Sequence, residues 1–121
     1  MRQWKYTAAI AMLCASTAAM AMDAQTFYAR GQALQKKGVM AMLSSDFKPL
    51  MNEMKAAGKS VKAENDAAKK NGAPLYCPPA KGKGMSAEEV LEEFGTVPEA
   101  QRRTLSVRDA WKRILIRKYP C

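Results

Sequence analysis

Apolar residues recur along this chain at steps of three and four, and no polar/apolar alternation lasts five residues. That is the period of helices, not of strands, and the β-branched residues are scattered. The pattern predicts an all-α protein, a small bundle of about four helices. The first helix is expected from about Asp23 to Leu43, with Phe27, Ala33, Leu34, Val39, Met42 and Leu43 as its apolar positions. Gly31 and Gly38 weaken it and are points where it can split.

The second helix is better marked. Ser45 is placed to cap it, and Pro49 falls in the first turn, where its missing N–H costs little. Phe47, Leu50, Met54, Ala57, Val61 and Ala68 line one face, with a polar gap at Glu64. The other face carries Lys48, Lys55, Lys59, Lys62, Lys69 and Lys70. Asn71-Gly72 supplies a left-handed stop, and Pro74 prevents resumption.

A loop follows from Ala73 to Gly84, reading APLYCPPAKGKG. The third helix opens on a capping box, Ser86 with Glu89, flanked by Met85 and Val90 at the two staple positions. Val90, Leu91 and Phe94 are expected to face inward, and Gly95 to end the helix. Thr96 to Thr104 reads as a connector. The last helix starts at Ser106, with Asp109 as its box partner, and carries the stripe Val107, Ala110, Trp111, Ile114 and Leu115. Pro120 terminates it.

The first 21 residues do not belong to this pattern. Arg2 and Lys5 precede an apolar stretch from Thr7 to Ala19, and Ala19-Met20-Ala21 fits the small-x-small cleavage rule of a secretory signal peptide. The stretch is alanine-rich and shorter than the roughly 20 residues that span a bilayer, so cleavage is expected instead of anchoring. Removal of residues 1–21 leaves one helical domain, 22–121, with 18 basic and 11 acidic residues, a net charge of +7. No membrane span is expected after cleavage.

Export also changes the cysteine count. Cys14 leaves with the signal, so Cys77 and Cys121 remain, and two cysteines in an exported domain imply one disulfide. Such a bridge is worth roughly 4 kcal/mol in the chain-entropy model, a large share of the stability of a domain this small.

The chemistry available is narrow. The chain contains no histidine, which removes Ser-His-Asp and Cys-His nucleophile arrangements and paired-histidine zinc sites. Glu88, Glu89, Glu92 and Glu93 cluster on one short helix, where carboxylates favour the helix dipole and read as a solvated face. Met40, Met42, Met51 and Met54 have the spacing of thioether Cu(I) ligands but are expected to fill the core. No catalytic residue, metal or cofactor is expected, and the chain does not read as an enzyme. Residues 30–83 hold 11 basic residues against 4 acidic ones. That belt suits solvent, an acidic protein partner or anionic lipid. Nucleic acid is not expected, because no aromatic residues interleave with the lysines as stacking platforms.

From Leu75 onward, LYCPP, SAEEVLEEF, Pro98-Glu99 and LSVRDAWKRILIRKYPC together resemble the Rap/Tai-type immunity proteins of type VI secretion. The matching positions are Cys77, Pro79, the helix from Ala87, Pro98-Glu99 and Tyr119-Pro120-Cys121. The resemblance is confined to residues 75–121; where the family's first half holds a further cysteine and a Cys-x-Gly-Tyr segment, this chain has SVKAENDAAKKNG. The resemblance implies a periplasmic protein that binds a peptidoglycan amidase toxin and blocks its catalytic cleft. The surface expected to face such a partner is the loop bearing Pro78, Pro79, Lys81, Lys83 and Met85, and a homodimer is left open. The alternative is a small periplasmic helical chaperone or envelope-stress protein.

Overall fold

The computed structural model describes residues 22–82 and 84–121. The expected signal peptide, Cys14 within it, and Lys83 of the expected partner surface lie outside the described residues. The elements in chain order are α1 (Ala24–Lys36), a 3-10 helix (Gly38–Leu43), α2 (Phe47–Lys70), α3 (Ala87–Thr96), α4 (Glu99–Arg102) and α5 (Val107–Lys118). Among the described residues there is no strand, only an isolated antiparallel bridge between Asp23 and Ser106. The all-α bundle is therefore the observed architecture. No helix among the described residues is long and apolar enough to cross a membrane.

The expected first helix ends early. Gly38 adopts φ +57°, which an L side chain rarely takes, and the chain leaves α1 as a 3-10 turn. The change of helical register breaks the face that Leu34 and Met42 would have shared. Val39, Met42 and Leu43, expected inside, are exposed, as is Ala33. Gly31 does not split the helix. It lies where α1 meets α3, and a Cβ there would come 2.6 Å from Leu91 Cδ1.

Ser45 does not cap α2. Asp46 occupies the cap position without a side-chain hydrogen bond, and the preceding Ser44 hydroxyl instead accepts from the Asp46 N–H at 3.3 Å and from Lys37 Nζ at 3.2 Å. The hydroxyl one position earlier closes the turn locally. The rest of α2 follows its pattern. Leu50, Ala57 and Val61 are buried, and Gly72 at φ +77° ends the chain reversal after Lys70.

Both expected serine N-caps are present: Ser86 Oγ accepts from Glu89 N at 3.2 Å, and Ser106 Oγ from Asp109 N at 3.0 Å, but neither carboxylate returns to the serine N–H as a full capping box requires. Gly95 does not end α3. Helix continues through Thr96 and stops at Val97, which the following Pro98 holds in extended geometry. The glycine answers to packing instead, since a Cβ at Gly95 would lie 2.8 Å from Tyr28 Oη. The connector beyond it is not wholly irregular, because α4 makes one turn there.

That turn positions Arg102, a buried charge. Its guanidinium lies 4.4 Å from the centroid of the Tyr28 ring and donates to Gln25 Oε1 at 2.7 Å and to the carbonyls of Gly95 and Val97. Nε and Nη1 are thus hydrogen-bonded while the ring covers the face of the group, which makes burial of the charge tolerable.

The core gathers around α5, whose five stripe residues Val107, Ala110, Trp111, Ile114 and Leu115 are all buried. Phe94 lies between Phe27 and Trp111, with ring centroids 4.8 Å and 6.1 Å away. The pairing of α2 with α5 is the most extensive between helices. The polar gap at Glu64 belongs to it: Glu64 meets Lys112 at 2.6 Å and also pairs with Arg108. At the other side of the bundle the Met22–Ala24 segment runs beside the start of α5, with Ala24 N donating to Leu105 O and Val107 N to Met22 O.

Candidate partner-binding surface

The loop between α2 and α3 carries the residues that the sequence singles out, and three attachments hold its first half. The first is Asn65 of α2, buried to 7% exposure. Its Oδ1 accepts from Leu75 N at 2.7 Å and Tyr76 N at 3.2 Å, and its Nδ2 donates to Tyr76 O at 3.1 Å. The second is the Tyr76 side chain, which packs into the core; burial pushes the ionisation of its hydroxyl upward. The third joins the loop to the end of α5. Cys77 is disulfide-bonded to Cys121, and Cys77 N donates to Tyr119 O at 2.8 Å.

Beyond Cys77 the chain turns over Pro79–Gly82, closed by a Gly82 N–H to Pro79 O bond of 3.1 Å, and then enters the capped start of α3. Between this turn and the helices lies an open depression of about 290 Å³. Its lining is Pro78, Pro79, Gly82, Gly84, Met85, Val90, Trp111 and Tyr119. A mostly apolar concavity with few polar groups is suited to receiving an apolar side chain of another molecule.

Three of the expected residues, Pro78, Pro79 and Met85, meet at this depression. Lys81 stands in the exposed turn beside it without lining it. Trp111 and Tyr119 were not expected there. Trp111 belongs to the buried stripe of α5, and only tertiary packing brings one edge of it under the loop. Asn65 was also missed, although it carried a signal: it stands four residues after Val61 and three before Ala68, a polar residue on the apolar face of α2.

The carboxylates of α3 do not act as one group. Glu89 caps with Ser86, whereas Glu93 reaches across to α5 and pairs with Arg117 at 2.8 Å and Lys118 at 3.1 Å. The hydrogen bond that Lys118 donates to the Glu93 carboxylate holds its ammonium above the usual lysine range. Among the described residues, no group of three histidine, cysteine, aspartate or glutamate side chains is placed to hold a metal ion. The chain matches no protein-family model, no curated protein and no solved structure.

Proposed function

We propose that this protein is a periplasmic immunity or inhibitor protein that binds a type VI secreted peptidoglycan amidase and occludes its catalytic cleft. The observation that carries the reading is the construction of the Pro78–Met85 segment. A disulfide and a buried asparagine hold the chain on one side of it, and a capped helix holds the other. A segment anchored at both ends loses little conformational freedom on binding, which is what inhibition by occlusion needs. Pro78, Pro79 and Met85 supply apolar contact around the depression, and Lys81 supplies charge for an acidic rim. Resemblance of residues 75–121 to the Rap/Tai-type proteins supplies the partner's class, and the expected signal peptide supplies the compartment.

The test is titration of the purified protein against a small cysteine-histidine amidase encoded in an adjacent reading frame, with peptidoglycan hydrolysis as the readout. A stoichiometric complex and loss of hydrolysis are expected, with Met85→Asp and Lys81→Ala each weakening the complex. Unimpaired hydrolysis at saturating protein overturns the reading. So does suppression of aggregation of unrelated clients by a protein that binds no amidase.

A further inference from the structure

The 3-10 turn Gly38–Leu43 is built the wrong way round for a segment that only closes the fold. With three residues per turn, positions 38, 41 and 44 share one side. Ala41 and Ser44 on that side are half-buried, while Val39, Met40, Met42 and Leu43 stand 89%, 58%, 71% and 78% exposed. Small residues face the protein and large apolar ones face away. Met51 on the adjoining α2 extends the same character at 41% exposed. A cluster of large apolar side chains facing solvent marks a contact surface.

Charge around the turn narrows the partner. From Arg30 to Glu53 the basic residues are Arg30, Lys36, Lys37 and Lys48, against two acids, Asp46 and Glu53. Lys36 and Lys37 directly precede the turn and Lys48 follows it by five residues, and Lys37 Nζ donates to Ser44 Oγ at its far end. None of the four meets a carboxylate among the described residues. Protein interfaces are depleted in lysine and enriched in aromatic residues, methionine and arginine. Here the collar is mostly lysine and no aromatic residue is among the large exposed apolar ones. Aliphatic and thioether side chains within a lysine collar match a bilayer interface, where the chains enter the acyl boundary and the ammonium groups meet phosphate.

We propose that the Gly38–Leu43 turn, with Lys36, Lys37 and Lys48, is a peripheral binding surface for anionic phospholipid bilayers. It shares no residue with the Pro78–Met85 surface, so it stands or falls independently of the amidase reading.

The experiment places a reporter on the turn. Full-sequence protein carrying Val39→Trp is mixed with vesicles of phosphatidylglycerol and phosphatidylethanolamine, or of phosphatidylcholine alone, and its fluorescence is compared with that of the parent chain. The expected result is a blue shift with the anionic vesicles, reversed by salt and absent with phosphatidylcholine. Each of Lys36→Gln, Lys37→Gln and Lys48→Gln added to the reporter should weaken it about fivefold. Subtracting the parent chain, whose tryptophans are Trp4 and Trp111, isolates the signal at residue 39 from emission changes at residues 1–21. No shift with anionic vesicles overturns the proposal, as does a shift equal in phosphatidylcholine or unmoved by the lysine variants. A parent dimer that Leu43→Ser converts to monomer, without a vesicle-dependent shift, would show instead that a second copy covers the turn. Loss of aggregation suppression in Leu43→Ser, again without such a shift, would assign the turn to unfolded clients.

Discussion

Asn65 hydrogen-bonds the main chain of Tyr76 in both directions, donating to its carbonyl at 3.1 Å and accepting from its N–H at 3.2 Å. A side-chain amide thus takes the place of a backbone partner, letting an irregular segment lie against α2 with its polar groups satisfied. No helix or sheet ladder is available to the chain at that point, so Asn65 supplies the main-chain partners that Leu75 and Tyr76 would otherwise lack.

Replacing Asn65 with alanine leaves buried main-chain groups of Leu75 and Tyr76 without partners. A loss of about 2–3 kcal/mol is expected in urea denaturation. Faster amide exchange at Leu75 and Tyr76 should accompany it. Unchanged exchange at those amides would show that Asn65 does not hold the loop.

The Cys77–Cys121 bridge acts on the same segment from the other side. Cys121→Ser should lower stability by up to about 4 kcal/mol through the greater freedom of the unfolded chain. Reduction of the parent protein should produce the same loss, and its intact mass should rise by two hydrogens on reduction. If reduction and the variant both leave the denaturation midpoint in place, the bridge contributes nothing to stability.

Glu64 makes stability depend on acid. The hydrogen bond from Lys112, assisted by that from Arg108, holds its carboxyl below the usual carboxylate range in the folded protein. The folded protein therefore holds this proton more weakly than the unfolded chain, so ionisation favours folding. The stabilisation is complete above the unfolded carboxylate's range and disappears as pH falls through the lower folded value. Glu64→Gln should unfold at lower urea than the parent at neutral pH, and the gap should close in acid. A gap independent of pH would remove the ion pairs as its cause.

Three helical glycines should respond to alanine with different signs. At Gly58 a methyl group would meet no atom within 4 Å, so Gly58→Ala should stabilise by about 0.5–1 kcal/mol through helix propensity. At Gly95 the same methyl meets Tyr28 Oη at 2.8 Å, and at Gly31 it meets Leu91 Cδ1 at 2.6 Å. Both substitutions should destabilise despite the propensity gain, because they push α1 and α3 apart. Thermal denaturation of the three variants side by side checks the signs.

Local chemistry made much of this fold legible. A serine hydroxyl caps α3 and α5 where the pattern places it, because the groups involved are neighbours in sequence and need nothing else. The stripes of α2 and α5 are equally local, since any amphipathic helix of that length must bury them. Pairing of Cys77 with Cys121 followed from there being no other cysteine outside the expected signal. Pro78, Pro79 and Met85 could be marked as a candidate surface, because a loop between a cysteine and a helix cap has both ends held.

What tertiary structure alone decided concerns residues whose role depends on distant partners. Gly95 looks like a helix stop until Tyr28 is seen to cross it. Glu64 looks like a gap in a stripe until Arg108 and Lys112 arrive from α5. Trp111 reads as core until the loop leaves one edge of it lining a depression. Val39, Met42 and Leu43 fit a helical stripe on paper, but periodicity assumes a continuous helix. The left-handed turn at Gly38 ends that continuity and carries those side chains outward. Periodicity and caps specify each helix from within, whereas the direction of a side chain after a break, and what it meets, is set by how the helices pack.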